Sequence, residues 1–257
     1  MSQTTRGFAK GAVGIKALII IAAISIGYQA YISSGYVSDE EMSFADFSYG
    51  LSSLAVGITA LFVAKRYKGS PVFGKTYLAL AIGFILLFVG DLTYNYYLLV
   101  LDEDPYPSIA DVFFIAFYAF TGYHLVKNIK YFKKDLSWTA KINVVIIAGV
   151  MTVGFAAFTI ETLYDDPTVY YMSMAYVVSS AAILALAILG LTVFRHSVLG
   201  TAWIMLVIGI FLYSIADVWY YYLEEIGEFS ITNPVNTLWI LSNTFMIYAL
   251  YKHQKTI

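Results

Sequence analysis

Apolar runs of about twenty residues recur along the chain, separated by short polar or charged connections. They predict helices near residues 11–33, 46–66, 76–100, 108–128, 140–163, 168–193, 201–223 and 234–251. Each run is long enough to cross a bilayer core, so the expected fold is an all-α polytopic membrane protein with eight transmembrane helices. The first run is too long for a removed signal peptide, and no small-residue cleavage site follows it before Tyr28 and Tyr31, so it is expected to stay. Proline is missing from the interior of every span, which predicts unbroken helices.

Charge placement adds an orientation. Basic residues gather on alternate connections: Arg6, Lys10 and Lys16 at the first span, Lys65, Arg66, Lys68 and Lys75 between spans two and three, Lys127 to Lys141 between four and five, Arg195 between six and seven, and Lys252 and Lys255 after eight. The other connections hold Asp39, Glu40 and Glu41, then Asp102, Glu103 and Asp104, then Asp165 and Asp166, then Glu224, Glu225 and Glu228. Lysine and arginine favour the cytoplasmic side, so the expectation is a multi-pass plasma-membrane protein with both termini inside. The net charge of −2 is the sum of two opposed faces and gives no reason to expect nucleic acid as a partner. Membrane lipid is the expected one.

Composition narrows the chemistry. With 60% hydrophobic and 12% charged residues, the longest extramembrane stretches are about a dozen residues, too short for a kinase, cyclase or DNA-binding module. The chain has no cysteine, which excludes disulfides, thiolate nucleophiles and Cys-ligated metals. No nucleotide loop, nucleophile elbow or metal-binding helix motif occurs, so neither cofactor nor metal is expected. A retinal site would need a lysine deep in the last span, and Lys252 comes only at that span's cytoplasmic end.

The most informative pattern is internal. Gly83-Phe-Ile-Leu-Leu-Phe-Val-Gly-Asp91-Leu-Thr-Tyr94-Asn-Tyr96 aligns without a gap on Gly209-Ile-Phe-Leu-Tyr-Ser-Ile-Ala-Asp217-Val-Trp-Tyr220-Tyr-Tyr222, at an offset of 126 residues. Gly74-Lys-Thr-Tyr77 matches Gly200-Thr-Ala-Trp203, Phe113 falls on Trp239, and one residue of slippage brings Tyr49-Gly-Leu-Ser52-Ser53 onto Tyr176-Val-Val-Ser179-Ser180. Spans one and five match only in hydropathy. The expectation is a tandem duplication of a four-helix unit, residues 1–134 and 135–257, related by a pseudo-two-fold axis along the membrane normal.

A carboxylate in hydrocarbon costs several kcal/mol, so one in each half requires a partner, a proton or water. Counting from the cytoplasmic entry puts Asp91 and Asp217 in the outer third of the membrane. Asn95, Tyr94, Tyr220, Ser52, Ser53, Ser179 and Ser180 fall in the same layer. Together they make a candidate ligand-binding site, a polar and aromatic cavity opening outward. Two plainer readings stand beside it: the aspartates as hydrogen-bonded glue between helices, and the tyrosines, with Tyr96, Tyr97, Tyr221 and Tyr222, as an interfacial belt. Ser108 with Asp111 reads as a helix cap at span four, and Asn233 with Pro234 as another at span eight. His124, His196 and His253 read as interfacial, with no metal-ligand spacing.

Asp102-Glu-Asp-Pro-Tyr-Pro-Ser-Ile-Ala-Asp111-Val-Phe-Phe-Ile-Ala-Phe-Tyr118, preceded by Gly90-Asp91-Leu-Thr-Tyr-Asn-Tyr-Tyr, resembles the multi-span sensor region found ahead of bacterial diguanylate cyclases and of archaeal and bacterial sensor histidine kinases. The resemblance is sharp over spans three and four and looser over seven and eight. Phe114 stands where that family usually has Tyr, and no output domain follows. It implies a membrane-embedded input module, and leaves open a free-standing sensor, one that works with a separate signalling protein on the cytoplasmic side, or a protein with another job. Independently of the resemblance, aromatic rings flanking a carboxylate suit a small amphiphilic or cationic ligand, which points to a non-enzymatic binding module. Gly90-Asp91 and Ala216-Asp217 also resemble the lysoplasmalogenase-like eight-span membrane hydrolases. That likeness implies Asp91 and Asp217 as catalytic acid and base on a lipid ether. A parallel repeat is used by small-solute transporters as well, although these carry broken helices.

Overall fold

The computed structural model describes residues 14–39 and 42–256. Arg6, Lys10, Glu40, Glu41 and the start of the first predicted span lie outside the described residues. Among the described residues eight long helices follow in order: α1 (Ile15–Ile32), α2 (Phe44–Arg66), α3 (Phe73–Tyr96), α4 (Ala110–Phe132), α5 (Trp138–Thr159), α6 (Pro167–Phe194), α7 (Gly200–Glu225) and α8 (Val235–Thr256). A π-helical turn, Tyr97–Leu101, prolongs α3, and a four-residue helix, Thr162–Asp165, links α5 to α6.

Seven of the eight, α1 to α7, are long and apolar enough to cross a membrane, as expected of an all-helical multi-pass membrane protein. α8 is about 33 Å long at 1.5 Å per residue but is more polar. Its polar side chains turn inward. Asn236, Ser242, Asn243 and His253 are all buried, and Ser242 Oγ donates to the Gly209 carbonyl at 2.8 Å.

Local chemistry fixes several helix starts. The Ser43 N–H donates to Asp46 Oδ2 at 2.6 Å while Ser43 Oγ accepts from the Ala45 N–H, a reciprocal cap that opens α2. Ser108 and Asp111 form the cap expected before α4, with Ser108 N–H to Asp111 Oδ2 at 2.6 Å and Ala110 N–H to Ser108 Oγ at 3.1 Å. Asp166 opens α6 by accepting from the Thr168 and Val169 N–H groups, with Pro167 in the first turn. The cap expected from Asn233 is not made. Its Oδ1 has no hydrogen-bond partner, and Asn236 Nδ2 ties the turn instead by donating to the carbonyls of Ser230, Ile231 and Asn233.

Six helices close into a ring: α2 packs on α3, α3 on α4, α4 on α6, α6 on α7, α7 on α8, and α8 returns to α2. α1 lies outside the ring against α8, and α5 lies outside it against α6. α5 is the more exposed of the two, with Val145, Val150 and Val153 each about two-thirds open. Such all-round apolar surface suits lipid contact. Helices in lipid gain little from hydrophobic contrast and depend on close approach, which small residues permit. Gly83 brings α3 onto α4, where an added Cβ would stand 3.1 Å from Phe120 Cβ; Gly209 brings α7 onto α8, where it would stand 2.7 Å from Met246 Cγ. Phe120 and Met246 are themselves 126 residues apart.

The histidines depart from expectation. Only His196 is exposed. His124 and His253 are fully buried, both against the Tyr77 ring, with centroids 4.7 Å from it in each case. His124 Nδ1 pairs with the Thr76 carbonyl at 3.0 Å. The basic segments that suggested an interface flank these residues in sequence, but the helix turns each ring inward.

Candidate functional site

Within the ring, toward the acidic end, lies a cavity of about 560 Å³. α3 and the π-helical turn that prolongs it line it with Leu87, Asp91, Tyr94, Asn95 and Leu98 on one helical stripe; α7 lines it with Tyr213, Asp217, Tyr220, Tyr221 and Glu224. Every α7 position is the α3 position plus 126. Tyr49 of α2 and Tyr176 of α6, aligned in the sequence, also face it from matching sides. The connection after α3 adds Asp102, in the left-handed conformation (φ 54°), with Glu103, Asp104 and Tyr106 to the lining.

The lining is one-sided in charge. Nine of its side chains are carboxylic and eight are tyrosines, and none is lysine, arginine or histidine. The rings form a continuous wall: Tyr176 stacks on Tyr221 at 4.6 Å, Tyr118 meets Tyr176 at 6.1 Å, and Trp239 lies between Tyr49 and Tyr220 at 5.0 and 5.2 Å. In the connection after α3, Tyr106 bonds Ser173 at 3.2 Å, and burial pushes its phenol above the usual range, so it keeps its proton.

Most of the polar groups act as struts between helices. Asp217 accepts from Tyr118 at 2.8 Å through Oδ2 and from Trp239 Nε1 at 3.1 Å through Oδ1. Tyr49 and Tyr213 share a hydrogen bond at 3.0 Å, and the Tyr176 hydroxyl donates to Asp111 Oδ1. Asp111, expected only as a cap, therefore joins α4 to α6 as well. Asn95 Nδ2 donates to the Asp46 carbonyl at 2.6 Å.

Asp91 differs. It is 8% exposed, and no described group reaches its Oδ2 with hydrogen-bond geometry. The carboxylate lies flat on Gly50 of α2, where a Cβ would fall 2.2 Å from Oδ2 and 2.8 Å from Cγ. Only glycine leaves this seat open. At the positions 126 residues away from the two donors that hold Asp217, the sequence has Phe113 for Trp239 and Thr244 for Tyr118, and the Thr244 hydroxyl bonds the Leu241 carbonyl at 2.8 Å.

Of the residues marked in the sequence, Asp91, Asp217, Asn95, Tyr94 and Tyr220 line the cavity. The four serines do not. Ser52 and Ser53 take hydrogen bonds from Asn243 Nδ2 at 2.7 and 3.2 Å, where α8 closes on α2; Ser179 bonds the Ala175 carbonyl at 2.7 Å; Ser180 is fully buried, its carbonyl accepting from Ser214. The tyrosines proposed as a belt divide, with Tyr94, Tyr220 and Tyr221 lining the cavity while Tyr96 and Tyr222 face outward. Tyr49, Tyr118, Tyr176, Tyr213, Trp239 and Gly50 were not marked. The period of the α3 and α7 stripes would have found Tyr213, and the alignment already paired Tyr49 with Tyr176. Among the described residues no group of three or more His, Asp or Glu could hold a metal ion. No family model matches the chain, nor does any curated protein or solved structure.

Proposed function

We propose that the protein is a membrane-embedded ligand sensor whose cavity, formed by the two halves of an eight-span duplicated bundle, opens to the outside. The observation that carries this reading is the shared cavity itself: Asp91 and Asp217 line one space of about 560 Å³, a volume within the range that holds a small organic ligand. Support for the duplication comes from the matched stripes on α3 and α7 and from the paired close contacts at Gly83 and Gly209. In this reading α8 is the eighth span, the basic ends face the cytoplasm, and a ligand biases the packing of one half against the other. A separate cytoplasmic protein would take up that bias.

Two oxygens of Asp217 already accept hydrogen bonds from Tyr118 and Trp239, which suits a strut better than an acid or base that must reach a substrate. Binding is therefore preferred over lipid-ether hydrolysis, and unbroken α2 to α8 give a transporter no discontinuous helix to work with. The test is a pair of spin labels on the cytoplasmic ends of α4 and α8, in nanodiscs, with a panel of neutral and cationic amphiphiles. A sensor shows saturable binding with a change in the inter-label distance. Binding with no change in distance would reduce the protein to a binding module, and turnover of a lysolipid ether that is lost in Asp91→Asn would replace the reading with hydrolysis.

A further inference from the structure

We infer that the cavity is built for a protonated primary or secondary amine, which seats on Asp91 and supplies the N–H donor that the protein withholds. This rests on the reading of the cavity as a ligand site.

Three observations converge. A lining with nine carboxylic side chains and no basic residue focuses a negative potential into a low-dielectric space, which concentrates cations and repels anions. Aromatic faces crowd the same space, and their quadrupoles attract a positive charge. Neither feature selects among cations. Asp91 does: a buried carboxylate oxygen without a donor is costly, and nearly every buried polar atom in proteins has a partner. The repeat in the sequence sharpens the point, because Asp217 has the donors Tyr118 and Trp239 while the positions 126 residues away from them hold Thr244, whose hydroxyl bonds the Leu241 carbonyl, and Phe113, which has no donor. One carboxylate is braced by the protein, and its counterpart is left to be completed by what enters. Gly50 keeps the seat by giving the carboxylate room that any side chain would take. A quaternary ammonium would satisfy the charge and the rings but not the oxygen, so an N–H-bearing ammonium is the better match.

The experiment is calorimetric titration of the full chain in nanodiscs with phenylbutylamine, its trimethylammonium analogue and phenylbutanol. Wild type is expected to bind the amine about 10-fold or more tightly than either the quaternary analogue or the alcohol. Asp91→Asn is expected to bring the amine down to the level of the alcohol, with an unchanged or raised unfolding temperature in the same nanodiscs reporting that the variant is folded. Gly50→Ala, which displaces the carboxylate without removing it, is expected to weaken the amine selectively as well. Equal affinity for amine and quaternary ion, or an Asp91→Asn variant that still prefers the amine, overturns the assignment. Tight binding of the alcohol with no preference for the amine overturns it too, yet leaves the ligand-site reading standing. Failure of all three probes to bind overturns both.

Discussion

Removing each aspartate in turn separates the two roles given to them. Asp217→Ala deletes an acceptor that serves two buried donors, the Tyr118 hydroxyl at 2.8 Å and Trp239 Nε1 at 3.1 Å. Leaving a buried donor unsatisfied costs about 1–3 kcal/mol, and since both donors border a cavity where water can partly replace the carboxylate, the sum is about 2–4 kcal/mol. For a chain of this size each kcal/mol moves the melting temperature by about 2–4 °C, giving a loss of roughly 5–15 °C. Asp91→Ala deletes a carboxylate whose Oδ2 has no protein partner, so its effect on stability is expected within about 1 kcal/mol of zero, and removal of a buried unpaired group can raise the melting point. The assay is thermal unfolding in one detergent, followed by intrinsic fluorescence, with expression levels compared. Equal large losses in both variants would refute the division of labour and make both aspartates helix glue.

Three further expectations follow from the packing and topology. Trp239→Phe copies the residue at the matching position, Phe113, and removes one hydrogen bond to Asp217; it should lower stability by about 1–2 kcal/mol in the same assay, with the cavity still binding ligand. Gly209→Ala drives a Cβ to 2.7 Å from Met246 Cγ and 3.1 Å from the Ser242 carbonyl and should destabilise by about 1–3 kcal/mol, whereas Gly122→Ala, with nothing within 4 Å, should be neutral or add up to about 1 kcal/mol through helix propensity. Because the chain has no cysteine, single Glu103→Cys and Lys134→Cys variants report orientation directly: a membrane-impermeant thiol reagent applied to intact cells should label the first and not the second.

Much of this architecture is legible in the sequence, for reasons that can be named. Bilayer-length apolar runs leave helices as the one economical arrangement, and the expected spans lie on the eight long helices. The gapless match around Asp91 and Asp217 pointed to two residues that meet one cavity, and the Ser108 and Asp111 cap formed as its spacing required. Depth alone, however, does not give direction around a helix. Ser52 lies in the right layer but faces α8, and Ser53, on the Tyr49 side of α2, sits one turn below it, where Asn243 seals the ring. Spans one and five, alike only in hydropathy, form α1 and α5, which lie outside the ring, where lipid contact asks for little beyond apolar residues. Gly50 was beyond reach, because its role is set by a side chain on another helix. So were the buried positions of His124 and His253, whose sequence neighbours Lys127 and Lys255 are exposed.

The central claim, an outward-open cavity between the halves that takes a ligand, can be tested at a single position. Tyr94 lines the cavity beside Asp91, so Tyr94→Cys places the chain's one thiol inside it. The measurement is the rate at which a small, membrane-impermeant methanethiosulfonate labels that thiol in intact cells, with and without phenylbutylamine. The account expects labelling from outside, slowed at least several-fold by the amine in a saturable way. A thiol that never labels would contradict it, and one that labels at the same rate whatever the amine concentration would contradict the assignment of the cavity to an amine.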